Sequence, residues 1–439
     1  MSADLVVRRA TLPDGQTNQD IIIAEGRIAE IRPSSDTHGE REIDAAGKLV
    51  TAPFIDCHFH MDATLSLGLP RLNRSGTLLE GIALWSELKP LLKVEAVVER
   101  ALAYCDIAVA QGVGAIRSHV DVCDDRLVGV EALLEVKRRV APYLELQLVA
   151  FPQDGLYRSP TALANLVRAL DMGVEVVGGI PHFERTMAEG ARSLRQLVEI
   201  AAERGLMVDI HCDESDDPMS RHIETLAYEA ERNKLQGRVT ASHTTSMHSM
   251  DNYYVSKLLP LVAEAGVAAI SNPLVNMAIQ GRQDTYPKRR GLTRVPEMQA
   301  HGIPVAFGQD CCMDPWYAMG SGDMLDVAHM AVHALHMTSQ DEIRRCFESV
   351  TTTPAQILGL KGYGLQVGAK ANLVLLEAAD PFEAIRLRAT RLQVIREGRI
   401  IASTPPRHAS LSLAGRPERV EFMHQPLARM VDQSAASAG

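Results

Sequence analysis

The chain has 439 residues, 46% of them apolar and 4% aromatic, with a formal net charge of −10. That length buries a large core and predicts one large domain with a smaller one. The acidic balance repels phosphate backbones and the scarce aromatics offer few stacking platforms, which excludes nucleic-acid binding and a sugar-stacking surface.

Met1-Ser2-Ala3-Asp4 lacks the basic and apolar segments of a secretion signal. No stretch is long and apolar enough for a bilayer. The seven cysteines are scattered without a CxxC pair, as expected of reduced thiols in a cytosolic enzyme. A cytoplasmic protein without membrane or nucleic-acid partners is therefore expected. A glycine-rich phosphate loop is also missing.

Residues 1–53 read as short strands at Asp4–Arg9, Asp20–Ala24, Arg27–Ile31 and Lys48–Val50, parted by turns at Pro13-Asp14-Gly15 and Glu25-Gly26. From 54 to 365 strand and helix alternate. Eight apolar strand candidates end near His60, His119, Phe151, Ile180, His211, His243, Ser271 and Gly308. Helical periodicity is clear over Leu127–Val140 and Leu194–Arg204. This alternation predicts an α/β fold, a (β/α)8 TIM-type barrel with its active site at the C-terminal strand ends. Residues 366–416 return to short strands at Ala371–Leu376, Leu392–Arg396 and Arg399–Ser403. Both chain ends are expected to join in a small β-sandwich domain, followed by a C-terminal tail over 417–439.

His58 and His60 stand one residue apart, so on a strand both side chains share a face. His211, His243 and Asp310 also close apolar runs. Neutral imidazoles with a carboxylate suit one zinc or ferrous ion. His58, His60, His211 and Asp310 are the expected ligands, with His243 beside the metal-activated water. His329, His333 and His336 recur at i, i+4 and i+7 and read as a packed helix face. Cys311 and Cys312, being adjacent, do not bridge each other.

Several motifs carry a resemblance: His58-Phe59-His60, Ser75-Gly76-Thr77-Leu78, His119-Val120-Asp121-Val122, Ala150-Phe151-Pro152-Gln153, Val208-Asp209-Ile210-His211-Cys212-Asp213-Glu214 and Thr240-Ala241-Ser242-His243-Thr244-Thr245. With Asp284-Thr285-Tyr286-Pro287-Lys288-Arg289-Arg290-Gly291 and Asp314-Pro315-Trp316-Tyr317 they span nearly the whole chain. The chain resembles bacterial cytosine deaminases of the amidohydrolase superfamily. The resemblance implies one divalent metal per subunit on the four ligands above, and a homo-oligomer. It also implies that Gln153 grips the substrate carbonyl and ring NH, that Glu214 shuttles protons, and that His243 orients the water. Phe151 and Trp316 are implied as pocket walls, and the backbone at Leu78 as a contact to the 4-amino edge. Two-metal relatives carry a lysine at the end of the fourth strand. Here that end reads Gly178-Gly179-Ile180-Pro181-His182, which predicts a mononuclear site. The HxE…PCxxC signature of another zinc deaminase fold is absent.

The implied reaction is hydrolytic deamination of a free aminopyrimidine base, cytosine or 5-methylcytosine, to uracil or thymine plus ammonia. The chain departs from the resemblance at Gln309-Asp310-Cys311, where those deaminases read His-Asp-Asp. A thiol in place of an acid predicts tolerance of a methyl group on C5. Isoguanine, creatinine and s-triazine amines are alternative substrates. A non-catalytic scaffold is a further alternative, but such a chain is expected to lose ligands and none is lost. Lys288-Arg289-Arg290 is expected to be a solvated or subunit-contact loop, with a phosphate grip as its sharper alternative.

Overall fold

The computed structural model describes residues 3–423. Eight parallel strands, each hydrogen-bonded to the next in sequence, form the central sheet. They span Phe54–Phe59, Val113–Asp121, Glu145–Phe151, Val176–Gly179, Met207–Cys212, Val239–His243, Val267–Ser271 and Val305–Phe307. The sheet closes where Phe59 meets Asp310 in a parallel bridge. There His60 N–H donates to the Asp310 carbonyl (3.0 Å) and Asp310 N–H to the His58 carbonyl (2.8 Å). Helices cover the outside, so most strand residues are buried on both faces. That is why they read as continuous apolar runs. The eight expected strand ends match, except that the second strand runs past His119 to Asp121.

The helix expected over Leu127–Val140 spans Val128–Val140. The helix expected from Leu194 starts earlier, at Met187. Its signal was present: the Thr186 hydroxyl caps the Glu189 N–H, the S/T-x-x-E pattern of a helix start. Gly205, with φ of +69°, ends it in the left-handed region.

The chain ends form two four-stranded sheets. One orders Arg27–Pro33, Gln19–Ala24, Ala3–Ala10 and Gly39–Asp44. The other orders Arg399–Ser403, Arg391–Arg396, Leu373–Leu376 and Val50–Thr51. Leu5, Val7, Ile21 and Ile23 share one apolar core with Leu373, Leu375 and Ile395, which holds the two ends together. Gly39–Asp44 was not expected as a strand. It is a charged edge with no apolar alternation, and Arg8 and Arg9 pair with its Glu42 and Asp44. Arg419–Glu421, inside the expected tail, pairs with His408–Ser410, and residues 424–439 lie outside the described residues. No helix among the described residues is long and apolar enough to cross a membrane.

Two readings are refined. His329 and His333 lie on the helix Met324–Ala334 with rings 4.5 Å apart, but His336 falls beyond its end at φ +57°. Arg290 donates to His336 Nε2 at 2.6 Å. In the same basic loop, Arg289 is held by Asp284, the Asp216 carbonyl and the Ser249 hydroxyl, which leaves it little freedom to grip a phosphate.

Candidate metal centre and active site

The barrel mouth gathers the predicted ligands. His60 Nε2 lies 3.1 Å from His211 Nε2. Asp310 Oδ1 lies 3.5 Å from both His58 Nε2 and His60 Nε2. All four side chains are buried. Burial pushes His60 and His211 well below the usual imidazole range, and the crowd of neighbouring imidazoles keeps His211 low, so both rings are neutral. Burial works against the Asp310 carboxylate, yet His58, His243 and His60 hold it well below its ordinary value. His58 Nε2 is buried with no hydrogen-bond partner among the described residues. Ligand atoms of His58, His60 and Asp310 lie within 4.8 Å of one another, as do those of His58, His211 and His243, and such a set of imidazoles with a carboxylate fits a divalent ion.

Backbone strain accompanies the cluster. His243, Thr244 and Asp310 adopt φ of +70°, +48° and +67°, a region costly for side-chain-bearing residues. The amide of Thr244 bonds to the Cys212 carbonyl at 2.9 Å, and the bonds across the closing strands fix Asp310, so the surroundings enforce these turns.

Glu214 and His243 stand beside the ligands. His243 Nδ1 is 3.3 Å from Glu214 Oε1 and 3.9 Å from Asp310 Oδ2. Burial, with the nearby Asp310 charge, pushes the Glu214 carboxyl well above its usual range. Burial also lowers His243 to about 3. Two asparagine amides, from Asn272 and Asn276, approach His243 Nδ1 at 3.2 and 3.1 Å, and Asn276 also donates to Glu214 (3.2 Å). Sequence reasoning passed over both asparagines. They sit just after the seventh strand in Asn272-Pro273-Leu274-Val275-Asn276, spaced one helical turn apart, which was the available signal.

The cluster opens into a cavity of about 160 Å³ whose lining includes Leu78, Gln153, Glu214, Cys311 and Trp316. Phe151, expected as a pocket wall, does not line it. Its ring stacks on the His211 imidazole (centroids 4.1 Å, 17° between planes) and braces that ring from behind. Leu78 opens the helix Leu78–Leu88, capped by the Thr77 hydroxyl. Trp316 packs between His60 and Trp85, with ring centroids at 5.7 and 5.4 Å. Gln153 rides on a loop tied down by its neighbour: Asp154 takes a hydrogen bond from Lys89 Nζ (2.6 Å). Lys89 also pairs with Asp121 (2.7 Å), which accepts from the Trp85 indole (2.8 Å). Cys311 Sγ lies 3.8 Å from Asp310 Oδ1, and burial pushes its thiol up, so it stays protonated. Burial likewise raises the neighbouring Asp314 to about 7.

Sequence reasoning also left His119 out of the ligand set. Its ring lies 4.2 Å from that of His58 and 4.6 Å from that of His211, one layer below the mouth. No lysine follows the fourth strand; His182 lines the cavity there instead.

The profile of the amidohydrolase family matches residues 41–402. The 5-methylcytosine deaminase of Klebsiella pneumoniae, solved with 5-fluorocytosine bound, is similar at 42% identity with a TM-score of 0.90, over 92% of this chain and 99% of that one. The N-isopropylammelide isopropyl amidohydrolase of Pseudomonas sp. strain ADP is 29% identical over 91% of this chain and 97% of its own length. The pterin deaminase of Rhizobium rhizogenes is 29% identical over 93% and 96%. With these relatives aligned along nearly their full lengths and a histidine–aspartate cluster at the mouth of the barrel, the chain belongs to the amidohydrolase family.

Proposed function

We propose that this protein is a metal-dependent hydrolase that deaminates a free aminopyrimidine base, converting cytosine or 5-methylcytosine to uracil or thymine and ammonia. The convergence of Gln153, Glu214, His243, Asp310 and Cys311 on one cavity carries this reading. The likeness to a 5-methylcytosine deaminase supports it. His58, His60, His211 and Asp310 would hold one zinc or iron ion, which when bound would lower the pKa of a water toward about 7. The chain's own groups do the rest. His243 and Asp310 orient the attacking water and take up its proton. Glu214 gives its proton to N3, which makes C4 more electrophilic. The proton released by the water passes through His243 and Asp310 to the Glu214 carboxylate, which delivers it to the amine as it leaves as ammonia, and the last proton of the C4 hydroxyl restores Glu214 as the C4 carbonyl forms. The Gln153 side-chain amide, both donor and acceptor, reads the adjoining C=O and N–H of the ring. Leu78 and Trp316 exclude bulk water.

Cys311 sets the preference within this class. A protonated thiol carries no charge and is weakly hydrated, so this wall accepts an apolar C5 substituent. A well-buried methyl group is worth about 1 kcal/mol. Purified enzyme assayed for ammonia release is expected to turn over 5-methylcytosine at least as well as cytosine, and Cys311→Asp to shift the ratio of kcat/KM toward cytosine. Strong preference of the unmodified enzyme for cytosine sinks the assignment of Cys311, and silence on both bases sinks the substrate class.

Likeness to proteins named for N-isopropylammelide and pterin favours a second reading, a cyclic amidine other than cytosine. Isoguanine, creatinine and s-triazine amines in the same ammonia assay separate the two. A homo-oligomer acting on small free bases completes the proposal, and light scattering on the purified protein checks the assembly.

A further inference from the structure

Below the ligand cluster the barrel interior holds charge where apolar filling is usual. Arg117, Asp209 and Ser242 come from the second, fifth and sixth strands, and each is wholly buried. Asp209 precedes His211 by two residues on one strand, so its side chain faces the same interior one layer deeper. Its two oxygens are both engaged. Oδ2 accepts from Arg117 Nη1 at 2.9 Å, and Oδ1 from the Ser242 hydroxyl at 2.7 Å. Arg117 is itself fixed, since its Nε donates to Gln147 Oε1 at 2.7 Å. On the other side of Ser242, its Oγ lies 2.9 Å from His58 Nδ1.

These contacts form a chain with one direction. A carboxylate held by a guanidinium has only lone pairs to offer, so the single hydroxyl hydrogen of Ser242 points at Asp209. What Ser242 then presents to His58 is a lone pair. Nδ1 of His58 must therefore carry the ring hydrogen, which leaves Nε2 bare. That bare nitrogen is the one facing Asp310 across 3.5 Å.

We propose that Ser242 and Asp209 are positioning residues that fix the tautomer of His58, so that its Nε2 lone pair is aimed at the metal. This rests on the metal-centre reading above and adds to it a buried relay that never touches substrate. Arg117 anchors the relay by keeping Asp209 an acceptor. Asp209 Oδ1 also lies 3.5 Å from His119 Nε2, so the same carboxylate stands beside a second ring of the cluster.

The test is zinc affinity, measured on metal-free protein by competition with a chelator, with no substrate present. In Ser242→Ala the hydroxyl is gone, and the zinc dissociation constant is expected to rise by about 10- to 100-fold, the usual cost of losing a partner that orients a ligand. Ser242→Thr keeps the hydroxyl and is expected to restore most of the affinity. Asp209→Asn presents an amide N–H₂ that can donate to Ser242, which reverses the relay, so it is expected to weaken zinc although its shape is nearly unchanged. Histidine nitrogen NMR of the metal-free protein reads the tautomer of His58 directly and is expected to show hydrogen on Nδ1 in the unmodified chain and a mixture in Ser242→Ala. The melting temperature of each metal-free variant reports any general loss of fold, which a tautomer effect does not move. Wild-type affinity in Ser242→Ala overturns the inference, as does equal weakening by Ala and Thr, or hydrogen on Nε2 in the unmodified chain. Failure of the unmodified protein to bind zinc at all overturns the metal-centre reading instead.

Discussion

The floor of the site and its rim are built by different means. Floor residues such as His58, His211 and Asp209 stand on or beside barrel strands, where the ladder hydrogen bonds of two neighbours fix each backbone. Rim residues stand on loops and on one short helix, held by side chains that reach across. Lys89, for instance, ties the end of that helix to the Gln153 loop and to the second strand through Asp154 and Asp121. The floor cannot shift without opening the barrel, whereas the rim can be altered one tether at a time. The chemistry resides on the rigid part and the choice of substrate on the adjustable part, a division general among barrels of this kind.

The sharpest way to break that comparison is Asp310→Ala. Loss of the carboxylate from the cage is expected to cost at least about 10³-fold in kcat/KM, or roughly 4 kcal/mol, and to leave purified protein short of metal by elemental analysis. Dialysis against a chelator is expected to mimic the variant, with activity restored by added zinc or ferrous ion. Full activity in the metal-free protein ends the metal mechanism. Next in size is Arg117→Met, which strands the Asp209 charge in the barrel interior. Its expected cost is about 3–5 kcal/mol of stability, read from the midpoint of chemical denaturation. A variant as stable as the parent means that water or a protonated Asp209 replaces the guanidinium.

Lys89→Met probes the rim. It frees the Gln153 loop while the cage stays intact, so KM is expected to rise roughly tenfold with a smaller change in kcat, and stability to fall by about 1–2 kcal/mol. An equal fall in kcat with KM unchanged means that the tether serves the chemistry and erases the distinction drawn here. The smallest effect is expected at Leu79, which is 72% exposed at the mouth. Leu79→Ser is expected to change stability by no more than about 0.5 kcal/mol and KM by less than twofold. A large effect there reveals that the exposed leucine meets substrate or a second subunit.

The same division decides what the sequence disclosed. His58, His60, His211, His243 and Asp310 could be placed because each closes an apolar run, and strand ends share one rim in a parallel barrel. Gln153 and Glu214 required a likeness to known deaminases, since a loop glutamine and a carboxylate past a strand end have no periodicity. Phe151 was assigned to the pocket walls by that same likeness, which carries no information on how its ring is turned. It lies flat behind His211 instead. Lys89, Trp85 and Asp121 form a contact among residues far apart in sequence, which no local pattern announces. The Gly39–Asp44 strand escaped notice for the opposite reason: its pattern is local but polar, with Ile43 alone reaching the core and the arginines opposite pairing with its acids.

The joint between Phe59 and Asp310 has a further consequence. The two backbone bonds that shut the cylinder belong to His60 and Asp310, which also supply half of the cage. Wherever an ion occupies that cage it staples the first strand to the last, so its binding energy adds to the resistance of the cylinder against unzipping. Amide exchange at His60 and Asp310 should slow sharply on loading with metal, more than at any amide on the far side of the barrel.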